Sequence, residues 1–100
     1  MKKLILLGGS TQQIVAIETA KRLGYYTILC DYLTDNPGQH HADCFYLVST
    51  TDKDAVLKVA RNEHVDDVFA HISDLAAPTA VYVAGALGLL SNPHTHQNYV

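Results

Sequence analysis

The part of this chain that most constrains its fold is its beginning, LILLGGSTQQIVAIETAK, residues 4–21. Leu4 to Leu7 form an unbroken apolar run. Strands of a parallel sheet covered on both faces read this way, whereas a half-exposed strand alternates. Gly8 and Gly9 break the run, Ser10 and Thr11 offer a cap, and Ile14, Ile17, Ala20 and Leu23 recur at helical spacing until Gly24 ends the helix. A strand that feeds a helix through a two-glycine turn is the first half of a βαβ unit, which implies a parallel sheet.

The remaining segments continue the alternation. Tyr26 to Cys30 is a second strand, ending at Asp31, and residues 32–42 read as a loop holding Asn36-Pro37-Gly38 and two histidines. Cys44 to Val48 is a third strand. Ser49-Thr50-Thr51-Asp52 then caps a helix with Ala55, Val56, Val59 and Ala60 on one face. A fourth strand is expected over Asp67 to His71, and a third helix over Leu75 to Leu87, with Pro78 in its first turn and Gly88 at its end. Right-handed crossovers put the first strand in the centre. The predicted fold is therefore α/β, a Rossmann-like doubly wound parallel sheet of four strands in the order 3-2-1-4 with three helices. The third helix, LAAPTAVYVAGALGLL, is apolar on nearly every side. Such a helix is normally covered on more than one face, so a second subunit or a further domain is expected against Leu75–Leu87, a homodimer being one such arrangement.

Composition narrows the function classes. Hydrophobic residues make up 48% and charged residues 17% of the 100 residues, a balance that fits one packed domain and argues against disorder. The seven Lys and Arg are scattered and the net charge is −3, so no basic stripe marks a nucleic-acid surface. No apolar run is long enough to span a membrane. The run after Lys2-Lys3 is too short for the core of a signal peptide, and a cytoplasmic location is expected. Cys30 and Cys44 lack CxxC spacing and read as small core or near-core residues of a reduced protein.

In open parallel sheets, ligands bind outside the carboxyl ends of the strands, near the point where strand order reverses. That edge collects Gly8, Gly9, Ser10 and Thr11 after the first strand, Asp31 and Tyr32 after the second, and Ile72, Ser73 and Asp74 after the fourth. The glycines permit close backbone approach and the helix start favours an anion, although the same residues also make a plain capped turn. The dinucleotide fingerprint G-x-G-x-x-G is only half met, because the two glycines are adjacent and Gln12 and Gln13 stand where small residues are wanted. Asp31 keeps NAD open through its place near a ribose hydroxyl. Ser73 and Asp74 either cap the third helix or touch the ligand. His71 reads as buried and hydrogen-bonded. The pairs His40-His41 and His94/His96 have no Cys or carboxylate at ligand spacing and read as solvated, with no metal site. No catalytic triad, paired catalytic carboxylates or P-loop can be assembled.

Taken together, the strand-GGS-helix opening, Asp31, and the exit SDLAAPTAVYVAGALGLLSNP resemble the N-terminal domain of ATP-grasp carboxylate–amine ligases. That group includes phosphoribosylamine–glycine ligase, which the chain resembles most, the biotin carboxylase N-domain and the carbamoyl-phosphate synthase large chain. The resemblance spans residues 2–93. It implies a pre-ATP-grasp domain over 1–93 that does not bind NAD, and a tail over 94–100 leading toward an ATP-grasp domain. It further implies that Gly8, Gly9, Ser10, Thr11 and Gln12 form the loop for a small phosphorylated or carboxylate substrate, flanked by Asp31, Ser73 and Asp74. ATP and magnesium would be held by other domains of the intact enzyme, which ligates through an acyl phosphate; no cofactor is expected in these 100 residues. Leu90 stands where a proline is common, and HTHQNYV departs from the usual continuation. The alternatives are a free-standing Rossmann-like nucleotide or NAD module, and a dimerising interaction domain.

Overall fold

The computed structural model describes residues 1–71 and 75–89. The elements are β1 (Lys3–Leu7), α1 (Thr11–Arg22), β2 (Tyr26–Asp31), a 3-10 turn (Pro37–His40), β3 (Cys44–Leu47), α2 (Lys53–Glu63), β4 (Asp67–Phe69) and α3 (Ala77–Ala86). The four strands are all parallel and run in the order β3-β2-β1-β4, as the alternation of periods predicted. β1 lies between β2 and β4, with Ile5 opposite both Ile28 and Val68. Its central position explains the unbroken apolar run, since Ile5, Leu6 and Leu7 are all fully buried.

The alternation of β1 side chains divides the core into two. Ile5 and Leu7 join Ile28, Cys30 and Val68 beneath α2 and α3, where Val56, Ala60, Ala80 and Val83 meet them. Leu4, Leu6 and Leu29 face the other way, onto Ile17 and Ala20 of α1. Among the described residues, one face of the sheet therefore carries two helices and the other only α1. The strip over β1 and β4 beside α1 is left open as a groove of about 380 Å³, its walls including Leu4, Leu6, Val15, Ala16 and Phe69.

Three local differences from the sequence reading have physical causes, while α2 is capped from within the expected Ser49–Asp52 stretch. β4 ends at Phe69 rather than His71, because it is an edge strand whose pairing with β1 stops at Leu6↔Phe69. The loop after β2 is not irregular throughout, since Asn36 caps the 3-10 turn by accepting the Gln39 amide at 2.8 Å, with Pro37 setting its first residue. In α2 the cap is Asp52, which accepts the Ala55 amide at 3.2 Å. α3 runs from Ala77 to Ala86, shorter at both ends than expected, and its N-cap is Ala76, which has no polar side chain to cap with.

The outward face of α3 is less bare than its sequence implies. Thr79, Ala80, Val83 and Ala84 are buried, and the partly exposed Tyr82 donates to Asp54 of α2 at 3.1 Å. Leu75 just before α3 is 83% exposed and Val81 43%, and exposed apolar side chains also mark α1 and its C-cap, where Val15 is 70% and Leu23 is 72% exposed.

Candidate functional site

At the carboxyl edge of the sheet the chain makes a compact turn from β1 into α1. Gly8 continues the ladder by donating to the Cys30 carbonyl at 2.8 Å and then takes φ +97°, a conformation that favours glycine. Gly9 is buried. Its amide donates to Asp31 Oδ2 at 2.8 Å, and its carbonyl accepts from the Gly38 amide at 2.9 Å. A Cβ on Gly9 would lie 2.2 Å from Asn36 Oδ1, so the side chain of the next loop occupies the space where a residue other than glycine would project.

Asp31 is 6% exposed and both of its oxygens are engaged, Oδ2 by Gly9 and Oδ1 by the Leu33 amide at 3.2 Å. A carboxylate used this way holds the backbone of two loops together. It is not turned toward a ribose, which is the role a dinucleotide site would need from it. Asn36, 3% exposed, completes the lock through Nδ2, which donates to the Leu33 carbonyl at 2.8 Å.

With the glycine amides spent inside the protein, the groups that face outward are those of the helix start. Ser10 is the N-cap of α1 with extended backbone and no side-chain cap bond. Among the described residues, the amides of Ser10, Thr11 and Gln12 have no acceptor, and all three side chains are exposed. Free N–H groups at the positive end of a helix of 12 residues favour an anion. Beneath them, Gln13 is buried at 1% exposure and its Nε2 donates to the Leu7 carbonyl at 3.2 Å.

Of the residues picked from sequence, Gly8, Gly9, Ser10, Thr11, Gln12 and Asp31 are brought together at this edge. Ser73 and Asp74 lie outside the described residues, as do His94 and His96. Sequence reasoning missed Asn36 and Gly38. Asn36-Pro37-Gly38 was legible as a turn, but nothing local says that it packs on Gly9. It also passed over Gln13, and it read His71 as hydrogen-bonded. His71 lines the groove together with Gln12, yet its Nε2 is buried without a partner. His41 is bound to Glu18, Nδ1 to Oε1 at 2.8 Å, and holds the Glu18 carboxyl below its usual range. Cys30 is buried, and desolvation pushes its thiol up to about 12, with Cys44 and Asp31 adding to the shift.

Known proteins with related chains bear on this edge. A formate-dependent phosphoribosylglycinamide formyltransferase of Parasynechococcus marenigrum is 38% identical over 76 residues, which are 75% of this chain and 19% of that protein. The phosphoribosylglycinamide synthetase of Anaerococcus prevotii superposes with a TM-score of 0.77 at 20% identity, over 87% of this chain and 22% of its own. The chain matches the N-terminal domain of the ATP-grasp ligases. It spans about a fifth of the length of the curated relatives it matches. No family model matches. An NAD+-bound enzyme from Bordetella bronchiseptica also superposes, with a TM-score of 0.65 at 18% identity over 89% of this chain and 36% of its own. Identities this low show a shared Rossmann-like fold, and the fold alone does not specify a ligand.

Proposed function

We propose that this chain is the substrate-binding N-terminal domain of an ATP-dependent carboxylate–amine ligase of the phosphoribosylamine–glycine ligase type, acting in purine biosynthesis in the cytoplasm. The observation that carries the reading is the row of unpaired amides at Ser10, Thr11 and Gln12, at the edge of a sheet whose sequence is 38% identical to a phosphoribosylglycinamide formyltransferase. These amides bind the phosphate or carboxylate of a small substrate. Gly8, Gly9 and Asp31 shape the loop from behind, and Ser73 and Asp74, which follow β4 in the sequence, are assigned to the same substrate.

ATP and magnesium belong to the domains that would complete such an enzyme. Among the described residues no group of three His, Cys, Asp or Glu comes together to hold a metal, and the sequence has no P-loop, so no step of the ligation is assigned to this chain. Its work is to bind and orient the acceptor substrate while an acyl phosphate forms elsewhere. Orientation of this kind is a large part of what a ligase contributes to rate. The apolar groove and the exposed part of α3 are surfaces on which the remaining domains, or a second copy of the chain, would pack.

A titration separates this reading from the NAD alternative. Phosphorylated amines and inorganic phosphate are expected to shift the amide resonances of Ser10 to Gln12 in a ¹⁵N NMR titration, and NAD+ is expected not to compete. Micromolar NAD+ binding without any response to phosphorylated amines would overturn the proposal. The engagement of both Asp31 oxygens weighs against NAD.

A further inference from the structure

β3 is an outer strand of the sheet, paired with β2 on one side. Val48 donates to the Asp31 carbonyl at 2.9 Å, and this bond sets the phase of the ladder. Successive residues of a strand turn their amide and carbonyl to opposite sides, so those of Cys44, Tyr46 and Val48 point toward β2. Phe45 and Leu47 point theirs outward, and among the described residues none of these four groups has a partner.

An uncovered edge of this kind is a template for another strand, and folded proteins usually blunt it with charge, proline, a bulge or a cover. β3 reads CFYL, with no charged residue and no proline, and its register with β2 is unbroken from Cys44 to Leu47. Leu47 is 57% exposed, while Phe45, two positions back, packs against the core on the α1 side. Both side chains lie on that face of the sheet.

We propose that this edge pairs with β3 of a second copy of the chain, antiparallel about a two-fold axis at Tyr46, so that the two four-stranded sheets become one continuous sheet. In that register Phe45 faces the partner's Leu47, and Leu47 faces the partner's Phe45. Each pair exchanges two amide–carbonyl bonds, so every outward group of Phe45 and Leu47 is used. The same pairs set an aromatic ring beside the exposed leucine, a favourable cross-strand contact. Asp43, whose Oδ2 accepts from the Thr27 amide and hydroxyl at 2.9 Å, falls opposite the partner's Ser49, so no like charges oppose each other. An axis at Phe45 would call on the Asp43 amide, which already donates to Thr27 Oγ1 at 3.0 Å. The occupant is a second copy because the edge is complementary to itself, and a two-fold pair closes with neither β3 left open. The inference is independent of the ligand reading of the helix start.

The contact is one short strand from each copy, so the association is weak. Sedimentation and ¹⁵N NMR of the 100-residue chain test it between about 10 μM and about 1 mM. Monomer is expected to pass to dimer and no further, while the Phe45 and Leu47 amides shift and gain protection from exchange. In a mixture of ¹³C-labelled and unlabelled chains, a filtered NOE is expected between the Phe45 ring and the methyls of the partner's Leu47. Leu47→Pro removes an outward amide and leaves the ladder to β2 intact. It is expected to weaken the association about tenfold, from two bonds lost per dimer. Val15→Lys, in the α1/β4 groove, is expected to leave it unchanged. A chain that stays monomeric at the highest concentration would overturn the inference, and that result needs no variant to fold. So would association that Val15→Lys abolishes, that grows past a dimer, or that gives no contact between Phe45 and the partner's Leu47.

Discussion

Gly9 shows how little freedom a single residue has at this edge. Its amide, its carbonyl and its missing side chain are each used, by Asp31, Gly38 and Asn36. Gly9→Ala places a methyl group 2.2 Å from Asn36 Oδ1, and overpacking of this kind costs about 1–3 kcal/mol. The expected outcome is a lower urea midpoint with an unchanged slope, measured by circular dichroism. Cys30 makes a second residue-scale prediction. Its thiol is buried and raised to about 12, so it carries almost no thiolate at neutral pH. Cys44 is only partly buried. A disulfide reagent should modify one thiol per native chain promptly and the second only on unfolding, and Cys44→Ser should remove the prompt reaction. The glycine pair was legible in the sequence as a tight turn. Its partner was not, because the 26 positions between Gly9 and Asn36 are closed only by folding.

At the scale of elements, periodicity located the four strands and the three α-helices, and apart from the 3-10 turn the misses fall at ends. β4 stops where its pairing with β1 stops, and α3 starts at an alanine. Element boundaries depend on which hydrogen-bond partners tertiary structure supplies, and these are absent from a local pattern. The 3-10 turn after β2 is the most consequential miss, since it carries Asn36 and Gly38 onto the glycine turn. It is tied to α1 by Lys21 Nζ, which donates to the His41 carbonyl at 2.9 Å, and by the His41–Glu18 pair. The hydrogen bond from His41 holds the Glu18 carboxyl below the usual glutamate range. A carboxyl lowered by folding stabilises the native state above its unfolded value, and that contribution is lost as pH falls through the folded value. Acid should therefore loosen this tether below about pH 4.5. Carboxyl-carbon NMR should show Glu18 titrating below a free glutamate, and His41→Ala should return it toward the ordinary range.

For the whole molecule, the distribution of helices matters more than any one contact. Among the described residues two helices cover one face and α1 alone covers the other, which leaves the α1/β4 groove with apolar walls. Val15 and Leu23 are already 70% and 72% exposed, so charging them removes little buried area. Val15→Lys and Leu23→Lys are expected to change stability by no more than about 0.5 kcal/mol. If the groove drives self-association, the same changes should lower the apparent mass in sedimentation. The sequence reading expected bare apolar surface on the third helix. Leu75, Val81 and Tyr82 are exposed there, Tyr82 with a bond to Asp54, and the exposed Val15 of α1 and Leu23 at its C-cap are a feature that amphipathic spacing had concealed.

The parallel sheet, the 3-2-1-4 order and the glycine turn at the switch point are all legible in the amino-acid sequence. Each follows from residue period, crossover handedness or local motif, all of which are short-range properties of the chain. Only the tertiary structure decided which amides at that edge are free. Gly8 and Gly9 looked like the ligand loop, but their N–H groups are taken by Cys30 and Asp31, which leaves Ser10, Thr11 and Gln12 to face a ligand. Hydrogen bonds between residues more than twenty positions apart cannot be counted from a local pattern, and a group already paired inside the protein has nothing left to offer a substrate.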